Sequence, residues 1–317
     1  MKRRDFLKRT GQAVALAAVT GGTGLIFHNR ETVRAASTVA SNPVFQVADE
    51  PLLPKVTLAN NEDPVVALRA ALDGIGGIKR FIHPGERVTI KPNAGWDRTP
   101  AQAADTNPAL VGEMVRLCLD AGASRVVVSD ITCNDPRRCF LRSGIREATE
   151  QAGGTVILSA EEDLIETSLG GELLTSWPVL KHFIETDRLI NMPIVKQHSL
   201  SRCTIGLKNL YGIIGGRRNQ LHQQIDQSIV DLANYCRPTL TVIDATRVLL
   251  RNGPQGGSID DVAVENTVIC ATDPVAGDSR GCEFLGTFGR QVGHIELAGL
   301  NGLGLVDYRA AGYKEIN

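Results

Sequence analysis

Seven short β-branched runs, separated by stretches of helical periodicity, constrain the fold of this chain more than any other feature. The runs are residues 56–59, 87–91 (RVTIK), 125–129 (RVVVS), 155–159 (TVILS), 188–191, 240–244 (LTVID) and 267–271 (TVICA), each bounded by turn-forming residues. Between them, residues 63–72, 108–121, 144–152, 179–187, 225–234 and 274–285 read as helices. Asn107-Pro108 is a helix start, a capping side chain ahead of a first-turn proline, and Ala121-Gly122 is a matching stop. Such alternation predicts an α/β fold with a mostly parallel sheet and helices on both faces.

In sheets of this kind, ligands bind beyond the carboxyl ends of the strands. Five expected strand ends carry charged or amide side chains: Lys91 with Asn93, Asp130, Lys196 with His198, Asp244, and Asp273. An aspartate at such a position can simply cap the next helix. Capping does not account for lysines at two exits.

The stretch 195–216, VKQHSLSRCTIGLKNLYGIIGG, carries too many ionisable groups for plain core and too many glycines and isoleucines for a solvated surface. Read as a helix over 203–214, it puts Leu207, Leu210 and Ile214 on one apolar stripe. Thr204, Lys208 and Tyr211 form a second, exposed stripe. Lys196 and His198, two apart in extended chain, aim to one side. The expectation is a cationic cradle of Lys91, Lys196, His198, Lys208 and either Arg217 or His222 around a carboxylate or phosphate, with Asn93 and Asn209 orienting the ligand. Proton transfer is assigned to His198, and stabilisation of developing negative charge to Lys208 and Lys196. Asp244 and Asp273 are expected to orient these cations or to hold a divalent metal. The competing reading pairs Lys208 with Asp244 or Asp273 as internal scaffolding.

The chain has no G-x-x-x-x-G-K-[ST] phosphate loop, no G-x-G-x-x-G after a strand and no G-x-S-x-G elbow. Its N-terminus reads MKRRDFLKR, then an uncharged, weakly apolar run from Thr10 to Phe27. This pattern predicts a twin-arginine export signal over residues 1–35, a linker over 36–54 and an α/β domain over 55–317. An uncleaved signal is the one expected route to a membrane. Of 34 basic and 35 acidic residues, the signal holds seven and two, so the remainder carries a net charge of −6. That balance speaks against nucleic acid as a partner. The seven cysteines form no C-x-x-C pair. Cys133 and Cys139 are close enough in sequence to bridge, and the odd count leaves at least one thiol free.

Several motifs, in order, resemble the family called domain of unknown function 362: KPN at Lys91, TNP at Thr106, AGASRVVVSD, LINMPIVKQHSL, TIGLKNLYGIIGG, Leu221-His222, NGPQGG at Asn252 and DPVAGD at Asp273. The resemblance runs from about Lys55 to the C-terminus. It implies that Lys91, Asn93, Lys196, His198, Lys208, Asn209, His222, Asp244, Asn252 and Asp273 line a site. It names no reaction and no cofactor. Some members look fused to ferredoxin-like, cysteine-rich modules, which are not seen in this sequence. The expected function is therefore an exported protein, periplasmic or extracytoplasmic, that binds a small anionic ligand or cofactor and carries out acid–base chemistry. The alternatives are a redox, metal or iron–sulfur accessory protein using Cys133, Cys139, Cys203 and histidines, and a solute-binding protein without chemistry.

Overall fold

A computed structural model describes residues 45–316; the expected export signal and the first part of the expected linker lie outside the described residues. Strand β1 (Val56–Asn60) leads through α1 (Pro64–Gly74) to β2 (Arg87–Pro92), α2 (Pro108–Asp120) and β3 (Arg125–Val128). Two short helices, α3 (Pro136–Arg142) and α4 (Ile145–Gln151), precede β4 (Thr155–Val156) and a hairpin of β5 (Leu164–Ser168) and β6 (Ser176–Leu180). Pro193 alone separates β7 (Arg188–Met192) from β8 (Ile194–His198). Strand β9 (Arg202–Thr204) folds back on β8 and runs into α5 (Gly206–Asn209). Then follow α6 (Ile225–Tyr235), β10 (Leu240–Leu249), β11 (Val262–Ala271), α7 (Pro274–Cys282), α8 (Gly293–Leu300) and β12 (Tyr313–Ile316).

The main sheet has the order β12-β1-β11-β10-β7-β2-β3-β4, with β8 added to β10 and β9 to β8. It is mostly parallel; the exceptions are β11, antiparallel to both β1 and β10, and β9, antiparallel to β8. Successive strand residues face opposite layers. Leu58, Ile243 and Ile269 join one buried cluster with Ile229 of α6, Val275 of α7 and Ile295 of α8. Ala59, Val242 and Val268 join the other with Leu68 of α1, Val111 of α2 and Ile145 of α4. The result is a three-layer α/β structure with both sheet faces covered, as a parallel sheet requires.

Four helices start on an Asx-Pro pair. Asp63, Asn107, Asp135 and Asp273 each accept a first-turn backbone N–H, and a proline follows each one. Each cap is worth about 1 kcal/mol. Phe45 is buried in the core, so the described part of the 36–54 segment packs against the body. No described helix is long and apolar enough to cross a membrane.

Three expected elements differ. Residues 179–187 are not a helix: Val179 and Leu180 finish β6, paired with Ile165 and Leu164, and a single 3-10 turn follows. Pro178 is tolerated there because the β5–β6 ribbon is two-stranded and every strand in it is an edge. The 155–159 strand is only two residues long. The 203–214 helix is broken into the end of β9, the four-residue α5 and a 3-10 turn.

Candidate functional site

The carboxyl ends of β2, β3 and β8 converge on one side of the sheet, where α5 closes over them. Lys91 and Asn93 arrive from β2, Asp130 and Cys133 from the loop after β3, and Lys196 and His198 from β8. Lys208, Asn209 and Tyr211 come from α5 and the turn after it. Together with Arg218 and His222, these residues line a cavity of about 510 Å³.

Two of its lysines are held by polar partners within the protein. Lys91 makes a buried ion pair of 2.8 Å with Asp130. Its amine also donates to the carbonyl of Pro92 (2.7 Å) and to Asn209 Oδ1 (3.0 Å). Burial pulls its pKa down, and Asp130 pulls it back up. Lys196 donates to Ala104 O (2.5 Å) and Asn93 Oδ1 (3.0 Å). Burial lowers Lys196 and raises Asp105, and the attraction between the two charges opposes both shifts.

Asn209 is the hub of this network. Its Oδ1 accepts from Lys91 and from Asn93 Nδ2, and its Nδ2 donates to Asn191 Oδ1 and Lys91 O. All four hydrogen-bonding positions of the amide are thus used. Asn209 therefore holds the lysines rather than orienting a ligand. Gly212 packs directly against the ion pair; a Cβ there would lie 2.6 Å from the Lys91 amine and overlap the Asp130 carboxylate.

Lys208 is different. It is 8% exposed, yet its amine makes no hydrogen bond or ion pair among the described residues. The amine sits 3.5 Å above the centre of the Tyr211 ring, a cation–π contact. The expected stripe is real, but it is buried and faces the cavity. Neither Asp244 nor Asp273 pairs with Lys208. Burial lowers its pKa to about 7; Cys133 opposes the shift, while Arg218, Lys196 and Lys91 add to it.

The two histidines have different tautomers. His198 Nδ1 accepts from the backbone N–H groups of Leu200 (3.1 Å) and Ser201 (3.3 Å). That puts the ring proton on Nε2. Burial, then Lys208 and Lys196, push its pKa down to about 3. His198 is thus a neutral hydrogen-bond donor, not a base. His222 Nδ1 lies 3.3 Å from the carbonyl of Asn219 and donates to it in the neutral ring, which leaves the Nε2 lone pair free. Burial lowers its pKa as well. The free ring lone pair expected at His198 Nε2 is thus found on His222 Nε2.

Four expected site residues lie elsewhere. Asp244 is not at a strand end, because β10 continues to Leu249. Its carboxylate accepts from Asn107 N on one oxygen and from Thr246 N and Oγ1 on the other. Asp273 follows β11, whose antiparallel course delivers it beside the start of β10, at the opposite end of the sheet. There it caps α7 and accepts from Leu305 N. In both aspartates each carboxylate oxygen accepts at least one hydrogen bond from the protein. Asn252 donates to Asp261 and does not line the cavity, and Arg217 is exposed while Arg218 lines it. Arg218 holds the loop after β3 through the carbonyls of Ile131 (3.1 Å) and Thr132 (3.0 Å).

The position of Lys208 is set from another helix. Asp278 of α7 accepts from Gly206 N (2.7 Å) and Leu207 N (2.9 Å), the first amides of α5. Burial raises the Asp278 pKa to about 7, and these two amides resist the shift.

Among the described residues, no group of three or more His, Cys, Asp or Glu side chains could hold a metal ion. The set proposed for a redox centre is dispersed. Cys139 is buried, Cys203 packs against Cys282 with the sulfurs 4.0 Å apart, and Cys133 alone of the three lines the cavity. All seven cysteines are free thiols, so Cys133 and Cys139 do not bridge. Cys133 and Arg218 are among the cavity residues that the sequence reading failed to place there, as are Trp96 and Asn219. Cys133 stands three positions after Asp130, and that strand exit was the available signal.

The fold and this cavity define a class: a three-layer α/β protein with a basic pocket at the carboxyl ends of its parallel strands. The chain belongs to the family described as "Domain of unknown function (DUF362)", whose model matches residues 88–283 and so covers every cavity residue discussed above. A thylakoid-associated protein of Synechocystis is 26% identical over 214 residues, covering 63% of this chain and 64% of that protein. The match thus spans a little under two thirds of that relative's length. Among solved structures, the lactate racemase apoprotein of Thermoanaerobacterium thermosaccharolyticum aligns with a TM-score of 0.46 at 12% identity, over 72% of this chain and 56% of its own. A structural-genomics protein from Thermotoga maritima aligns with a TM-score of 0.38 at 11% identity, over 83% and 61% respectively.

Proposed function

We propose that the protein binds a small molecule through a carboxylate or phosphate in this cavity and acts on it by acid–base chemistry. The observation that carries the reading is the Lys208 amine, buried against the cavity with no carboxylate to neutralise it. Lys91 and Lys196 have protein partners; Lys208 has room for an anion and the charge to hold it. The His198 Nε2–H is a second donor toward the same space, and the His222 Nε2 lone pair is the base.

Titration calorimetry with inorganic phosphate and with acetate tests this reading. Wild-type protein is expected to bind. Lys208→Met, which fills similar volume without charge, is expected to lose about 1.5–3 kcal/mol of binding, the worth of a charged hydrogen bond. Binding by Lys208→Met at wild-type strength would remove the site.

We place the protein outside the cytoplasm, exported by the twin-arginine route. The Arg3-Arg4 pair with Phe6, Leu7 and Lys8 supports this. The thylakoid-associated relative is compatible with it. Lysines at both Arg3 and Arg4 are expected to leave the protein in the cytoplasmic fraction. Unchanged fractionation of that variant would refute the route.

A further inference from the structure

Six of the seven cysteines are buried, and burial pushes the Cys118, Cys139, Cys236 and Cys270 thiols up, so they stay protonated and inert. Cys133 is the exposed one, and it lines the cavity. Its loop is fixed on several sides. The Cys133 N–H donates to Gly95 O (2.8 Å), Ile131 N–H donates to Gly212 O (2.8 Å), and Arg218 grips the two preceding carbonyls. The backbone that carries this thiol is thus held at the edge of the cavity.

The surroundings are cationic. Lys91, Lys196, Lys208 and Arg218 line the same cavity as Cys133. The thiolate is the nucleophilic form of a cysteine. The second observation is independent of the sulfur: Lys208 presents a buried, unpartnered amine to the same cavity. One wall thus offers a nucleophile and another an anion anchor.

We propose that Cys133 is the nucleophile of this cavity, and that it attacks a small electrophile whose carboxylate or phosphate is held by Lys208. This rests on the anion-binding reading above and names the substrate class. In the step, the thiol proton leaves to the His222 Nε2. The sulfur forms a bond to the electrophilic carbon, and the bond from that carbon to its leaving group breaks. The leaving group departs with the electron pair, so no oxidant or reductant is consumed.

Paired alkylation rates test the proposal. The full chain is treated at neutral pH with iodoacetate or iodoacetamide, and Cys133 modification is followed by peptide mass spectrometry. An ordinary thiol reacts more slowly with anionic iodoacetate. Here iodoacetate is expected to modify Cys133 about fivefold faster than iodoacetamide, and Lys208→Met is expected to reverse that order. Equal or slower reaction with iodoacetate in the wild type overturns the proposal, as does an unchanged preference in Lys208→Met. Phosphate binding by Cys133→Ser separates the two readings. If alkylation shows no anionic preference but Cys133→Ser still binds phosphate, the thiol role falls and the anion site stands. Loss of both sinks both.

Discussion

Asp130→Ala is expected to destabilise the protein by about 3–5 kcal/mol, the usual cost of leaving one member of a buried ion pair without its partner. Lys91 is 1% exposed and Asp130 2% exposed, so water cannot replace the lost charge. The substitution also frees the Ala94 N–H, which donates to Asp130 Oδ2 at 2.8 Å. The double variant Asp130→Ala with Lys91→Met is expected to recover much of the loss, since an apolar pair leaves no buried charge. Urea denaturation of both single variants and the double variant measures this coupling. A loss below about 1 kcal/mol for Asp130→Ala, within the range of a surface pair, would show that the pair is solvated and the cavity floor open.

The second large effect is on pH dependence. Burial lowers the Lys208 pKa to about 7 in the folded protein, against about 10.5 for a lysine in water. Only the ammonium attracts an anion. Acetate affinity is therefore expected to be flat between about pH 6 and 7, where acetate is fully ionised, and to fall up to about tenfold per unit above pH 7. His198, with a pKa near 3, stays neutral throughout and adds nothing. Titration in a Cys133→Ser background removes the thiolate as a competing cause. Lys208→Arg, which keeps its charge, is expected to flatten the profile. Affinity that holds constant to pH 9 in the wild type would contradict the assignment. Folding responds with the opposite slope. Between about 7 and 10.5 the unfolded amine holds a proton that the folded one has released, so this group adds stability as pH rises across that window. Below about 7 the cost of burying the charge is borne in full.

The layered sheet and most of its strands could be read from the chain because β-branched runs and Asx-Pro starts are local signals. The convergence of Lys91, Lys196, His198 and Lys208 was also legible, since parallel strands send their exits to one side. Strand direction was not. Nothing in TVICA marks β11 as antiparallel, so Asp273 was grouped with exits that lie at the other end of the sheet. Strand length misled in the same way at Asp244, where β10 runs five residues further. Burial of the Lys208 stripe escaped because amphipathic periodicity finds one apolar face. It cannot tell a polar face in water from a polar face against a cavity. Histidine tautomers depend on backbone amides at Leu200 and Ser201 and on the carbonyl of Asn219, and no residue pattern encodes them.

The short helix α5 takes its orientation from a carboxylate borrowed from α7. Substitutions along α7 can thus shift the amine by fractions of an ångström without altering any residue that a ligand touches. Relatives with identical pocket walls can differ in affinity for this reason, and engineering for a new ligand has a handle on the far side of the layer, out of the ligand's reach.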